Sequence, residues 1–374
     1  MKILQISPYF YPHLGGVESH VLELSKKLQE RGHDVLVITT KLDGTKERDS
    51  YEGVDIRRVK PITIQLSTPI IPSLRKAIEE EKGDIIHSHS PPPLTSFFSV
   101  RSANKLDIPS VLTYHCDLEI PYFFGSILVQ LYERTFGTYT VSQSDKIITT
   151  TSTYGATSRV VWDTDAVVIP NAVDKDRFHP DNTAGDVRKR LGIEEDERMV
   201  LYIGRIVFHK GLEYLVESAR YLPDDVKYVI GGTGDFISEL KTQIKRQGTE
   251  GRIIFPGRIP NRELPKYYAA SDLFVLPSVS RLEAFGIVAL EAMASGVPVV
   301  VSDIPGVREV ITEGREGLLA EPMNPQNLAG KIRAILENPE MAERMGKKGR
   351  QRIEESLSWD IVTDQIEQVY KKMV

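Results

Sequence analysis

Two glutamates, Glu283 and Glu291, mark the part of the sequence best suited to binding a polar ligand. They stand eight residues apart in the stretch SRLEAFGIVALEAMASGVPVV, at positions 280–300. At about 100° per residue, this spacing does not align two carboxylates on one face of a helix. If the first lies in a loop before the helix and the second lies two turns inside it, both can border one ligand. The alternative is an amphipathic helix with two solvated glutamates.

The residues between these two carboxylates are suited to an anion. Ala284, Phe285, Gly286 and Ile287 surround the predicted start of a helix, where the first backbone N–H groups have no partner within the helix. Such a helix start attracts phosphate. A phosphate there, with a carboxylate on either side to accept hydrogen bonds from sugar hydroxyls, would suit a nucleotide sugar.

Two cations follow a predicted strand in LYIGRIVFHKG, at positions 201–211. Gly204, at the strand end, permits close approach of a ligand, and α/β sheets bind ligands in the crevice at such ends. Arg205 offers a planar fork and Lys210 a compact charge, so together they could stabilise the charge that grows on a departing nucleotide diphosphate. Either residue alone could equally be a solvated surface cation.

Two further glycine-rich loops would let the backbone approach a phosphate. Gly15 and Gly16 precede a predicted helix after the first strand, and Gly232 lies in the turn GGTGD after a later strand. A Gly-rich turn is also a common structural connector. The dinucleotide fingerprint G-x-G-x-x-G is absent at the first strand, which counts against a nicotinamide oxidoreductase.

Three histidines are predicted at the carboxyl ends of strands in the first half of the chain. We interpret His87 as structural and expect His89 and His115 to lie near one cleft, with His115 in a functional role. The three lack a convincing metal-ligand spacing, so no metal site is predicted. The Asp-x-Asp matches at 163–165 and 174–176 are interpreted as solvated loop charges.

Apolar runs with strand character alternate with helical segments, including a helix predicted at 18–31. This alternation predicts an α/β fold with a doubly wound parallel sheet in each half of the chain. The predicted strands lie at 3–6, 35–39, 85–87, 110–113, 146–149 and 166–169, and then at 199–203, 227–231, 252–255, 273–276 and 297–301.

The chain length also predicts two domains. Its 374 residues exceed the roughly 250 to 300 that one hydrophobic core usually serves. A segment rich in Pro, Asn, Asp and Gly at 170–185 is typical of a linker. We therefore predict domains at 1–172 and 173–358, followed by an amphipathic helix at 359–374.

The composition is that of a globular protein and argues against a nucleic-acid partner. The formal net charge of -5 offers no basic field for a polyanion. The lone cysteine, Cys116, can form neither an internal disulfide nor a Cys-rich zinc site, which favours a reducing compartment. No export leader and no apolar run of about 18 residues is visible. We therefore expect a cytoplasmic protein.

One apolar and aromatic segment, at 120–137, leaves two interpretations open. It could be a buried helix, or a mobile element on the acceptor side that touches lipid. The second interpretation would place the protein peripherally at the inner face of a membrane.

Four motifs, taken in order, resemble those of the retaining glycosyltransferases of family 4, which have the GT-B fold with two Rossmann-like domains and a cleft between them. The resemblance extends from the first strand to the final helix. Ala172 stands where the family commonly has glycine, and GGTGD lacks the proline often found after that loop. The four motifs are GGVE at 15–18, PNAVD at 170–174, GRIVFHKG at 204–211 and the stretch at 280–300.

The resemblance implies a division of labour between the domains. The donor would lie mainly on the second domain and the acceptor on the first, the final helix would pack back on the first domain, and no divalent metal or cofactor would be needed. The resemblance implies these roles: Glu291 for the ribose, Glu283 for the transferred sugar, Arg205 with Lys210 for the diphosphate, Gly16 for the phosphates, and His115 for the sugar near the reacting carbon.

The predicted function is transfer of a hexosyl group from a nucleotide diphosphate sugar to an acceptor hydroxyl, with retention of configuration. The acceptor is unknown and could be a sugar, a lipid-linked sugar or a small molecule. Two alternatives stay open at this point. One is a nucleotide-sugar epimerase or hydrolase, since the same fold and phosphate-binding loops could serve either enzyme. The other is a non-catalytic subunit that binds a nucleotide sugar.

Overall fold

The computed structural model describes residues 1–13, 15–65, 68–118 and 125–374. The chain forms two compact units. The first contains Met1–Asn171 together with Trp359–Val374, and the second contains Ala172–Ser358. The predicted division at 172/173 differs from this one by a single residue, and the terminal segment begins at the predicted position.

Most strands of the first unit form one sheet in the order β10-β9-β8-β7-β1-β2-β4-β3, which is parallel except for the pair β3 and β4. Two short strands pair separately as an antiparallel hairpin. The strands of this unit are β1 (Lys2–Ile6), β2 (Asp34–Thr40), β3 (Arg48–Tyr51), β4 (Val54–Val59), β5 (Thr63–Gln65), β6 (Thr68–Ile70), β7 (Ile85–Ser90), β8 (Ser110–Tyr114), β9 (Lys146–Thr149) and β10 (Val167–Val168).

The second unit has a parallel sheet in the order β13-β12-β11-β14-β15-β16. Its central strands are buried along most of their length, as expected of parallel strands covered on both faces. The strands are β11 (Arg198–Ile203), β12 (Val226–Gly231), β13 (Ile253–Gly257), β14 (Leu273–Leu276), β15 (Val299–Ser302) and β16 (Gly317–Ala320).

Helices connect most successive parallel strands, as this topology requires. In the first unit they are α1 (Gly16–Glu30), α2 (Leu74–Glu81), α3 (Pro93–Leu106), α4 (Gly125–Tyr132), α5 (Thr138–Ser142) and α6 (Ser152–Thr157). The remaining helices are α7 (Val187–Leu191), α8 (Leu212–Ser218), α9 (Ile237–Gln247), α10 (Leu264–Ala270), α11 (Ile287–Ala294), α12 (Pro325–Leu336), α13 (Pro339–Arg352) and α14 (Trp359–Lys371).

The final helix, α14, packs within the first unit. Trp359, Ile366 and Tyr370 are buried along one face of this helix. At the end of α1, the Arg31 guanidinium donates to Glu367 at 3.2 Å. The 3.6-residue spacing of its apolar side chains thus gives α14 one apolar face, which is buried in the first unit.

The apolar segment predicted at 120–137 is only partly buried. Its first five residues lie outside the described residues, and α4 covers part of the rest. Val129 is buried, whereas Ile127 and Leu131 are more than half exposed. The interpretation as a fully buried helix is therefore wrong for α4, because one face of the helix is exposed. In the described ranges, no helix combines the length and apolar character that crossing a bilayer requires.

Candidate active site

Each sheet reverses its strand order at one point, and the predicted site residues follow the strands next to that point. In the first sheet, β7 and β2 lie on opposite sides of β1, and in the second, β14 and β12 lie on opposite sides of β11. Ligands of α/β proteins bind at the carboxyl ends of strands beside such a reversal. The topology therefore brings Arg205, Lys210, Gly232 and Glu283 to one edge of the second sheet.

An ion pair joins the loops that follow β11 and β14. The Lys210 ammonium donates to Oε2 of Glu283, and both side chains are largely buried, with 14% and 12% exposure. The Ser278 hydroxyl donates to the same carboxylate oxygen at 3.1 Å. A buried charge of either sign is costly without a partner, so each residue holds the other in place. Residues predicted to hold different parts of one ligand therefore lie side by side.

The start of α11 presents unpaired backbone donors beside this ion pair. Gly286 precedes the helix at φ +85°, and a Cβ added there would meet Leu276 Cδ2 at 2.5 Å, so this turn requires glycine. The N–H groups of Phe285, Gly286 and Ile287 have no hydrogen-bond partner among the residues that the structure describes. Ala284 is part of the loop between Glu283 and these donors. The arrangement is an anion site of the kind that helix starts provide.

Glu291 lies inside α11 and is held by a tyrosine. Its Oε2 accepts a hydrogen bond from the Tyr268 hydroxyl at 2.7 Å. Burial raises the pKa of Glu291 to about 7, against the lowering effect of that hydrogen bond. Glu283 lies before the helix and Glu291 within it, which is the condition under which both carboxylates could border one ligand. A buried carboxylate with unused acceptor capacity suits the hydroxyls of a ribose.

The other residues predicted in this unit have different surroundings. Arg205 is exposed, and its carbonyl accepts from the Tyr202 hydroxyl at 2.9 Å. A Cβ added at Gly232 would lie 1.8 Å from the carbonyl oxygen of Gly204. A structural reason therefore exists for glycine at position 232, namely the close packing of two strand ends. A role of either glycine against phosphate stays a prediction.

In the first unit, the two glycines at the start of α1 differ in what they offer. The Gly15 N–H donates to Oε2 of Glu18 at 2.9 Å, which caps the helix. A Cβ added at Gly16 would meet nothing within 4 Å. The backbone N–H of Gly15 is therefore already engaged, and Gly16 is the position with open space beside it.

The histidines predicted at the first sheet share one face of it. Gln5 pairs in register with His87, and His89 pairs with Thr113, two residues before His115. Since side chains two residues apart point to the same face of a strand, all five lie on one face. His115 is buried and its Nε2 lies 3.1 Å from Nδ1 of His89.

A further histidine, which sequence reasoning missed, completes this group. His20 is on the buried face of α1, and its ring centroid lies 5.1 Å from that of His115. Burial lowers the pKa of His20 to about 4 and the pKa values of His89 and His115 well below the usual value, so all three are neutral at pH 7. The sequence feature that could have revealed His20 is its position beside Val21 and the other apolar residues of one helix face.

The histidines that lie close enough to share a metal are not the set His87, His89 and His115 suggested by the sequence. Nitrogen atoms of His20, His89 and His115 lie within 4.8 Å of one another. His87 instead bonds to Tyr370 and Thr113. The direct hydrogen bond between His89 and His115 already joins two of the three candidate donors.

The two Asp-x-Asp matches have local surroundings. Asp163 and Asp165 are exposed. Oδ1 of Asp174 accepts from the backbone N–H groups of Asp176 and Arg177, at 3.1 and 3.0 Å. The second match therefore stabilises a turn through backbone contacts, as aspartates often do.

Comparison with known proteins assigns the chain to a family. Residues 14–177 match the family described as Glycosyltransferase Family 4, and residues 184–352 match the family described as Glycosyl transferases group 1. An uncharacterized glycosyltransferase of Methanocaldococcus jannaschii is 30% identical, over 99% of this chain and 98% of its own. The chain belongs to glycosyltransferase family 4.

Two solved structures resemble this family 4 glycosyltransferase along nearly its whole length. Sucrose-phosphate synthase from Thermosynechococcus elongatus has a TM-score of 0.83 at 24% identity, covering 99% of this chain and 98% of that one. The Anabaena protein HepE in complex with UDP-glucose has a TM-score of 0.83 at 20% identity, covering 100% of both chains. The two parallel-sheet units are those of the GT-B fold, as the sequence predicts.

Proposed function

We propose that this glycosyltransferase moves a hexosyl group from a nucleotide diphosphate sugar to an acceptor hydroxyl, with retention of configuration. The observation that carries the proposal is the buried pair of Lys210 and Glu283 beside the unpaired N–H groups at the start of α11. A cation and free N–H groups suit a diphosphate, and a carboxylate beside them suits sugar hydroxyls.

The leaving group needs the strongest stabilisation in such a transfer. The bond between the anomeric carbon and the phosphate oxygen breaks, and negative charge grows on the nucleotide diphosphate. In the proposed site Lys210 and the N–H groups of Phe285, Gly286 and Ile287 receive this charge, and the exposed Arg205 adds a second cation. Glu291 accepts hydrogen bonds from the ribose, and Glu283 from the transferred sugar.

Retention of configuration follows if the acceptor attacks the face that the phosphate leaves. The acceptor oxygen then bonds to the anomeric carbon while a phosphate oxygen takes its proton, so no enzymatic nucleophile is required. His115, neutral and buried, would contact the sugar near the reacting carbon. The proposed chemistry needs neither a divalent metal nor a cofactor, because Lys210, Arg205 and the N–H groups supply the positive charge.

The first donor to test is UDP-glucose, because HepE was solved with that molecule. Transfer would be measured by mass spectrometry of a panel of sugar, lipid-linked and small-molecule acceptors. Proton NMR of the product would report the anomeric configuration. A product with the configuration of the donor supports the proposal. An inverted product would contradict retention, and an epimerised or hydrolysed donor without any glycosylated acceptor would favour the alternative enzyme classes.

A further inference from the structure

A continuous set of hydrogen bonds runs across the buried face of the first sheet. His89 Nε2 lies 2.8 Å from Oε1 of Gln5, and His89 Nδ1 lies 3.1 Å from Nε2 of His115. Nε2 of Gln5 donates to the Tyr370 hydroxyl at 3.3 Å, and that hydroxyl lies 2.6 Å from Nδ1 of His87. Every one of these side chains is buried.

The amide of Gln5 determines the direction of the bonds that His89 makes to Gln5 and to His115. Its Oε1 can only accept, so the nitrogen of His89 that faces it, Nε2, carries the hydrogen. Nδ1 of His89 is then the acceptor of a neutral ring, and His115 must donate to it from Nε2. His115 is therefore left with a lone pair on Nδ1, which has no hydrogen-bond partner among the described residues.

The other arm of the set contacts the amide nitrogen. Nε2 of Gln5 donates to the oxygen of Tyr370, which also lies against His87 Nδ1, and His87 Nε2 lies 2.7 Å from Thr113 Oγ1. Both hydroxyls can donate or accept, so His87 fits this arm as either tautomer. Rotating the amide by 180° would reverse the donors of His89 and His115 and would put the hydrogen of His115 on Nδ1. Gln5 thus selects between two proton arrangements.

We infer that Gln5 and Tyr370 are positioning residues that fix His115 as its Nε2–H tautomer, so that Nδ1 accepts a hydrogen bond from a sugar hydroxyl. The part concerning the sugar rests on the proposed function. In this state His115 selects a hydroxyl and rejects a ligand atom that can only accept, such as a phosphate oxygen. Gln5 on β1 and Tyr370 on α14 would act on the ligand through the histidines and not by direct contact.

The test is the tautomer of His115, measured by ¹⁵N NMR on the full-length protein labelled at histidine. His115→Asn identifies its signals. We expect Nε2–H in the wild type and a mixture of tautomers in Gln5→Met and in Tyr370→Phe. Ser88→Ala is the matched control, because it removes a buried hydrogen bond, to Ser99, from the same strand as His89. A folded Gln5→Met protein that keeps pure Nε2–H, or a wild type with Nδ1–H, overturns the inference.

Kinetics separate positioning from a purely structural role. In Gln5→Met we expect kcat to fall about 10-fold, roughly the worth of one hydrogen bond, with the donor KM within about twofold of wild type. A rise in KM alone would contradict the inference. The NMR measurement needs no substrate, so it stands whether or not sugar transfer is found.

Discussion

The two glutamates that frame the α11 loop have different electrostatic settings. Glu283 accepts hydrogen bonds from both Lys210 and Ser278, so its negative charge is compensated. Among the described residues, the side chain of Glu291 accepts a hydrogen bond from the Tyr268 hydroxyl alone, and burial raises its pKa to about 7. The first is thus ready to accept from a sugar hydroxyl as an anion, whereas the second gains most when a ligand donates to it.

Replacing Glu283 by Gln should separate sugar recognition from nucleotide binding. The amide keeps the shape but leaves Lys210 without its counter-charge and weakens the contact to the sugar. We expect kcat/KM for the donor to fall about 100-fold or more, with nucleoside diphosphate affinity changed far less. Glu195→Gln, at an exposed position of the same unit, is the control. Equal losses for the sugar nucleotide and the free diphosphate would contradict the assignment of Glu283 to the sugar.

Replacing Glu291 by Gln should stabilise the protein at high pH. The pKa of this carboxyl is raised on folding, so its stability contribution is complete below the unfolded pKa of 4.5 and is lost as pH rises toward 7. The amide avoids this loss and still accepts from Tyr268. We expect a gain of about 1 to 3 kcal/mol at pH 8 that shrinks toward zero near pH 4.5. Denaturant unfolding at the two pH values measures it, and a gain independent of pH would refute the raised pKa.

At the scale of elements, the strand ends explain why glycine follows β11 and β12. Gly204 and Gly232 bring two backbone segments together where neighbouring strands finish, and Gly232 has φ +141°. The same edge carries the loop of Lys210 and the start of α11. Packing of the ends of β11 and β12 therefore determines the shape of the sheet edge that carries the predicted ligand contacts.

Gly232→Ala should distort this edge. The added Cβ would lie 1.8 Å from the Gly204 carbonyl oxygen, so one of the two strand ends must move. We expect a loss of at least about 2 kcal/mol in stability together with weaker donor binding. Gly330→Ala is the contrasting control, since Gly330 lies inside α12 with nothing within 4 Å and should gain up to about 1 kcal/mol. Similar stability changes in both variants would show that the close approach has no energetic cost.

The sequence predicted most of the apolar parallel strands, but it missed the short apolar strand β16 and the charged strand β4. β4 was missed because Arg57 and Arg58 interrupt its apolar pattern, and both are buried through partners that only the fold supplies. Arg57 donates to Glu81 at 2.6 Å and Arg58 to Asp49 at 3.0 Å. Local patterns cannot reveal such tertiary compensation, so a charged strand looks like a loop.

The start of α11 was predictable from local sequence, but the pairings among the candidate site residues were not. Motif order and the Phe-Gly pair located the start of α11, because helix starts have a local signature. The ion pair of Lys210 and Glu283 joins residues 73 positions apart, and the bond of Gln5 to Tyr370 spans 365 positions. The order of strands in the second sheet brings the first pair together, and the packing of α14 on the first unit brings the second pair together.

For the whole molecule, family 4 membership and the GT-B fold are compatible with the proposed donor site, which lies mainly on the second unit. We propose that this unit binds a nucleoside diphosphate through Lys210 and the start of α11, without a metal. Sulfate-free isothermal titration of the full-length protein with UDP, GDP and ADP, with and without EDTA, tests it directly.

We predict that one nucleoside diphosphate binds, that EDTA leaves its affinity unchanged, and that Lys210→Met weakens it at least about 10-fold, the value of a lost charge-assisted hydrogen bond. Lys241→Met, an exposed lysine on α9, should bind as the wild type does. Binding that requires a divalent ion would contradict metal independence, and binding that survives Lys210→Met unchanged would contradict the role of Lys210.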